Sequence, residues 1–242
     1  KAEAHALAQL AQLPLRRVRV PRLLFHGGHR DHCWLVQQHL GDGAPRRQPS
    51  VRQICDFHVE LQGFTGRPAP LQSGAFWRRV ASRLDTLPHS AAAEGWRRGC
   101  CAVAGRTLRL GVMHGDLAPW NVMVTTNGQL AVFDWETFCA GAPPLLDVIH
   151  WLLFRPMLLQ QRSPDALFAA VVHGIEGQHL RSVASRLQCD LPLPSLLVLY
   201  VVDWITRLEV EQQGKWQPSR ARMIARLGRI LRAALVVGGM RC

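Results

Sequence analysis

Three short apolar runs separated by one unusual loop and one tight turn constrain this chain more than any other feature. Residues 108–113 form the first run, residues 121–124 the second and residues 130–133 the third. Between the last two lies Thr125-Thr126-Asn127-Gly128. Asn and Gly tolerate positive φ, so this arrangement predicts a β-hairpin. A hairpin of this length folds Asn121, at the start of one strand, back toward Asp134, at the end of the next. An amide and a carboxylate oxygen brought together in this way suit a hard divalent cation. Asp116 stands on the loop just before the hairpin, in Met113-His114-Gly115-Asp116-Leu117-Ala118-Pro119-Trp120-Asn121.

The interval from Asp116 to Asn121 is the one protein kinases use in their catalytic loop, where the Asp accepts a hydroxyl proton and the Asn holds magnesium. With Phe133-Asp134-Trp135-Glu136 and Pro144-Leu145-Leu146-Asp147, the pattern resembles the aminoglycoside phosphotransferase and choline kinase-like family. The resemblance implies an α+β, protein-kinase-like fold and transfer of the γ-phosphate of ATP to a hydroxyl of a small molecule, with Mg2+. It implies Asp116 as base and Asn121 and Asp134 as magnesium ligands. His114 would shape the loop, and Asp147 would be a buried carboxylate bracing that loop from the following helix. Each residue has a plainer reading, as a turn former, a structural histidine or a helix N-cap. Glu136 reads equally as a site residue or a surface charge. A hydrolytic metal site from His114, Asp116, Asp134 and Glu136 is a weaker alternative, because it gives Asn121 no role.

Around the hairpin the pattern is helical. Residues 2–13, 51–64, 76–87, 91–104, 145–159, 165–175, 196–213 and 219–237 carry helical periodicity. Residues 18–27 and 33–40 read as strands joined by a turn through Gly27, Gly28 and Asp31, and residues 41–50 as a linker. The chain therefore divides into a partial small lobe with hinge, residues 1–45, and a mainly helical large lobe, residues 46–242. By position in the resembled fold, Glu3 lies on the helix whose glutamate pairs with a nucleotide-binding lysine. Gln38, His39 and Leu40 form the hinge that meets the adenine edge. No Gly-rich loop precedes Glu3, and the only lysines are Lys1 and Lys215, neither at the family's position. An N-terminal truncation or a catalytically inactive, kinase-like scaffold would each account for that, and the intact Asp116, Asn121 and Asp134 favour truncation.

The acceptor pocket in the resembled family is built by helices after the metal segment. Asp203 and Glu209, with Glu211, would line it and attract a cationic substrate, and Trp204 or Trp216 would stack on a sugar or quaternary amine. Sugars, amino alcohols and aminoglycosides are the acceptors implied. The formal charge of +12 comes from scattered arginines without a nucleic-acid-binding signature. Nucleic acid is not an expected partner, and the charge leaves room for an anionic membrane surface or an acidic substrate. Seven cysteines with no C-x-x-C pair point to a reducing, cytoplasmic compartment rather than a disulfide framework. No apolar stretch reaches the length of a membrane helix.

Overall fold

The computed structural model describes residues 2–30, 32–41, 47–103, 105–211 and 217–240, apart from the side chains of residues 100–102. Lys1, Asp31, residues 42–46 of the linker, Cys100 and Cys101 as side chains, Gln213, Lys215 and Trp216 lie outside that description.

The chain opens with α1 (Ala2–Leu10), which buries Ala6, Leu7 and Leu10 on one face. The stretch read as one strand, 18–27, is two. β1 (Val18–Arg19) runs parallel to a later strand, opposite Leu130 and Ala131, whereas β2 (Leu23–His29) pairs antiparallel with β3 (His32–Gln37). Pro21 falls between them; lacking an amide hydrogen, it suits the point where the chain leaves one sheet for another. The β2–β3 ribbon exposes Leu24, Phe25, Trp34 and Val36.

After the linker comes α2 (Val51–Thr65), started by a capping box. The Gln53 amide donates to Ser50 Oγ while the Ser50 amide donates to Gln53 Oε1, an arrangement worth about 1 kcal/mol. Its buried face carries Ile54, Phe57, His58 and Leu61. β4 (Arg67–Pro70), in a stretch without periodicity, is an edge strand on β5 (Thr107–Met113). A short 3-10 turn, Leu71–Ser73, leads into α3 (Ala75–Asp85), followed by α4 (Ala91–Val103).

β5 delivers the chain to the Asp116 loop. Beyond the loop, β6 (Val122–Val124) and β7 (Leu130–Val132) form the antiparallel hairpin predicted from Asn127-Gly128, with Val122 opposite Val132 and Val124 opposite Leu130. β8 (Cys139–Ala142) returns against β5; its small residues give no alternating signal. The helices α5 (Leu146–Leu158), α6 (Pro164–His173), α7 (Ile175–Arg186), α8 (Leu193–Glu211) and α9 (Pro218–Val237) complete the molecule. α7 escaped the periodicity reading because its apolar positions are few. α8 is buried from Leu196 to Val202 on every side, and α3, α4, α5, α7 and α9 pack against it.

Trp135 and Trp151, among the largest fully buried side chains, sit just beyond the hairpin and on α5, so the core lies directly behind the Asp116 loop. No helix among the described residues is long and apolar enough to cross a membrane. The described cysteines Cys33, Cys55, Cys139 and Cys189 are free thiols.

Candidate active site

The Asp116 loop is fixed from below by a buried carboxylate. Asp147, in the first turn of α5 and 1% exposed, accepts the backbone N–H of His114 on Oδ2 and that of Gly115 on Oδ1, both at 2.9 Å. Burial pushes its pKa up to about 6 against the pull of these two amides. Leu145, just before α5, adopts φ 75° while fully buried, a conformation rare for a branched residue. Its amide donates to His58 Nε2. Gly115 has φ 85°, and a Cβ there would lie 2.7 Å from the Thr137 carbonyl, so the turn under Asp116 admits only glycine.

His114 is wholly buried. The Asp116 amide donates to its Nδ1 at 3.2 Å, leaving Nε2–H to donate to the Phe133 carbonyl at 3.0 Å. One imidazole thereby ties the loop to the hairpin residue before Asp134. Burial lowers its pKa to about 4, which keeps it neutral and fully engaged. Among the described residues no group of three or more His, Cys, Asp or Glu converges on a metal position. The hydrolytic metal reading therefore has no geometry behind it.

Asn121 Nδ2 donates to the Asp116 carbonyl at 2.9 Å and to Asp116 Oδ2 at 3.2 Å. The amide nitrogen is thus committed, and Oδ1 is the atom left to accept or coordinate. The Asn121 carbonyl accepts the Phe133 amide at 3.0 Å, which brings Asn121 beside Asp134. Asp134 itself has φ 65°, a left-handed turn that re-aims its side chain out of the strand. Burial, then the neighbouring Asp116, raises its pKa; two carboxylates facing one space favour a cation between them.

His150 and Tyr200 complete the surroundings of Asp116, and neither was anticipated. His150 Nε2 lies 3.3 Å from Asp116 Oδ1, and Nδ1 lies 3.0 Å from the Tyr200 hydroxyl. A carboxylate can only accept, so Nε2 carries the proton and Tyr200 O–H donates to Nδ1. Burial lowers the His150 pKa, so it acts as a neutral donor. Burial works to raise the Asp116 pKa, but the His150 contact above all outweighs it and holds the carboxyl below its usual range. The available signal was positional: His150 follows Asp147 by three residues on one helix, hence on the same face.

A cavity of about 630 Å3 opens on the other side of Asp134, lined by Glu3, Gln38, His39, Leu40, Met123 and Phe133 among others. Leu40, Met123 and Ala131 form a small apolar cluster with Phe133 packed on it. Glu3, half-buried, accepts the Trp135 amide at 3.4 Å. The Gln38 amide is committed to the Arg22 carbonyl at 2.8 Å, so a ligand edge there would meet the backbone of His39 or Leu40 instead.

The model of the phosphotransferase enzyme family matches residues 1–185. The chain belongs to that family. A search of curated protein sequences found no match. Among solved structures, the chain resembles a thermostable aminoglycoside phosphotransferase APH(4)-Ia in ternary complex with ADP and hygromycin B, with TM-score 0.60 and 13% identity over 98% of this chain and 83% of that one. A second APH(4)-Ia complex, with AMP-PNP and hygromycin B, gives TM-score 0.58 and 12% identity over the same shares. At these identities the likeness is one of fold, the kinase-like α+β architecture.

In this phosphotransferase-family chain two acidic residues of α8 expected at an acceptor pocket, Asp203 and Glu209, are engaged by neighbouring side chains, while Glu211 lines a cavity. Asp203 is 3% exposed and is held by Arg207 at 2.6 Å, Arg83 at 2.9 Å and Arg79 at 3.5 Å. Glu209 contacts Ser90 at the start of α4, and burial raises its pKa. Three guanidiniums thus share the one Asp203 carboxylate. Trp204 stacks on His150 at 4.9 Å between ring centroids, so its role lies against that imidazole.

Proposed function

We infer that this protein is a small-molecule kinase that transfers the γ-phosphate of ATP to an alcohol. The observation carrying the inference is the convergence of Asp116, Asn121 and Asp134 at one end of the hairpin, between a nucleotide-sized cavity and α8. Family membership supports a phosphotransferase acting on small molecules. Similar folds holding ADP or AMP-PNP support the use of a nucleotide.

On this reading the adenine lies on Leu40, Met123 and Phe133 and meets the hinge backbone at His39 and Leu40. Residues 1–45 then belong to a small lobe with hinge and residues 46–242 to a large lobe. Asn121 Oδ1 and the Asp134 carboxylate hold Mg2+, which when bound neutralises the phosphate oxygens. Asp116, ionised and aimed by His150 and Asn121, accepts the hydrogen bond of the acceptor hydroxyl. The hydroxyl oxygen forms its bond to the γ-phosphorus as the bond to the bridging oxygen breaks, ADP leaves, and the hydroxyl proton passes to Asp116. A depressed pKa suits a group whose main contribution is orientation, as in phosphoryl transfer generally.

The test is transfer of labelled γ-phosphate from Mg-ATP to a panel of sugars, amino alcohols and aminoglycosides by the full-length protein. Asp116→Ala should lower turnover by about a hundredfold to ten-thousandfold. Equal background turnover in both proteins would leave a nucleotide-binding protein without kinase activity.

A further inference from the structure

A second cavity, of about 380 Å3, lies against the Asp116 loop, with Arg79, Arg83, Glu136, Thr137, Arg207 and Glu211 in its wall. It shares no lining residue with the nucleotide-side cavity, and the two flank one segment: Asp134 lines the first, Glu136 to Phe138 the second. Two hydrogen bonds tie its wall to the Asp116 loop. Arg207 Nη1 donates to the Gly115 carbonyl at 2.9 Å, and Thr137 Oγ1 donates to the His114 carbonyl at 2.7 Å. The volume is at the lower end of the range for small-molecule sites.

The charges in its wall are unequal. Arg207 and Asp203, with side chains 8% and 4% exposed, form a buried pair that balances itself. Arg79 and Arg83 are additional, one turn apart on α3, and their side chains are 22% and 23% exposed. Both lean on the same Asp203 carboxylate, so three guanidiniums share one anion. Of the carboxylates lining the cavity, Glu211 is paired with Arg220 at 3.2 Å; Glu136 is exposed at the rim. Arg79 Nε and the nine-tenths-buried Arg207 Nε have no hydrogen-bond partner. Like charges one helical turn apart repel, and guanidinium forks match carboxylate and phosphate oxygens. An anion in the cavity would relieve the first and satisfy the second.

We propose that this cavity is the acceptor site and that it selects a hydroxylated anion, a sugar or polyol bearing a carboxylate or phosphate, seated on Arg79 and Arg83. The proposal rests on the kinase reading for the word acceptor, though not for the binding itself. The anionic group anchors the ligand while a hydroxyl reaches Asp116, and an ammonium-bearing acceptor is repelled by the same two arginines.

Binding is measured by calorimetry on the full-length protein with D-gluconate and glycerol 3-phosphate as anions, glycerol as neutral control and ethanolamine as cation, at two salt concentrations. Transfer from Mg-ATP to each is measured in parallel. At least one anion should bind, more weakly at high salt, and better than glycerol or ethanolamine; the two anions separate a carboxylate from a phosphate preference. Arg79→Gln, which removes the more distant of the Asp203 partners, should weaken that binding or raise the acceptor KM by roughly tenfold to a hundredfold and leave the KM for ATP unchanged. Neither anion binding, preference for glycerol or ethanolamine, or an Arg79→Gln protein with unaltered anion affinity overturns the proposal. Arg79-dependent anion binding without Asp116-dependent transfer supports the anion site and removes the kinase reading. Transfer to a neutral or cationic acceptor only, unaffected by Arg79→Gln, keeps the kinase and removes the anion site.

Discussion

His150 illustrates how a single side chain is prepared before any ligand arrives. Its ring is stacked on Phe154 at 24° and on Trp204 at 18°, with centroids 4.5 and 4.9 Å away. Rotation is therefore blocked, and the Tyr200 hydroxyl on Nδ1 selects the tautomer that offers Nε2–H to Asp116. Replacing His150 with Phe keeps the stacking and removes the donor. Burial then meets less opposition at the Asp116 carboxyl, where Asn121, His114 and Arg207 remain. The acid limb of the kcat/KM profile should therefore move to higher pH, with kcat lower by about tenfold for one lost polar contact. Tyr200→Phe should move the limb the same way by less. An unchanged limb in His150→Phe would mean the imidazole is only packing. Asp116 and Asn121 were legible in the chain as a pair because five residues of spacing suffice to relate them. His150 and Tyr200 were not, because they reach Asp116 from two helices whose approach is decided only by packing.

At the scale of elements, the loop depends on how closely α3 and β8 approach. Gly74 begins α3 with φ −71°, ordinary for any residue, so its constraint is steric. A Cβ there would lie 2.3 Å from the Gly141 carbonyl and 3.0 Å from Leu110 Cδ1. Gly141 in turn has φ 73° and would bring a Cβ to 3.0 Å from the Ala75 amide nitrogen. The two glycines let the start of α3 rest on β8 backbone to backbone, which sets where Arg79 and Arg83 emerge one and two turns later. Gly74→Ala should destabilise the protein by about 1–3 kcal/mol in urea unfolding and disturb acceptor KM more than that of ATP. A neutral Gly74→Ala would show that β8 can retreat. The Asn127-Gly128 hairpin was predictable because its determinant is local. β4 and β8 were not, since proline- and glycine-rich segments become strands only when a neighbouring edge accepts them.

For the whole molecule, buried titratable groups set the dependence of stability on pH. Burial lowers His58 and His114 from 6.5 to about 4. The unfolded chain takes up protons at these two sites below pH 6.5 while the folded one does not. Their contribution is therefore complete above 6.5 and is lost as pH falls toward 4. Asp147 has the opposite sign: raised from 3.8 to about 6, its contribution is complete below 3.8 and is lost as pH rises through 6. Asp116 and Asp203, both held below the usual carboxylate range against the pull of burial, side with the histidines. His150 sides with the two imidazoles, and Glu3, Asp134 and Glu209 side with Asp147. The large shifts are two imidazoles against one carboxyl, so Tm measured by calorimetry should fall as pH is lowered from 6.5 to 4. His58→Asn, which can still accept the Leu145 amide, should make that fall shallower. A Tm that is flat or rising over this interval would contradict the assignment of neutral buried imidazoles.

Local chemistry determined what the sequence alone could determine: the hairpin, the helical flanks, the order of elements and the Asp116, Asn121 and Asp134 pattern all depend on residues close in the chain. Tertiary structure decided the rest. Asp203 reads in isolation as a helix charge free to attract a cation; only the meeting of α3 with α8 encloses it among Arg79, Arg83 and Arg207, guanidiniums that also line the cavity beside it. Charge is written in the sequence, but the field it produces depends on which charges the fold brings within a few ångströms, and that distance is not.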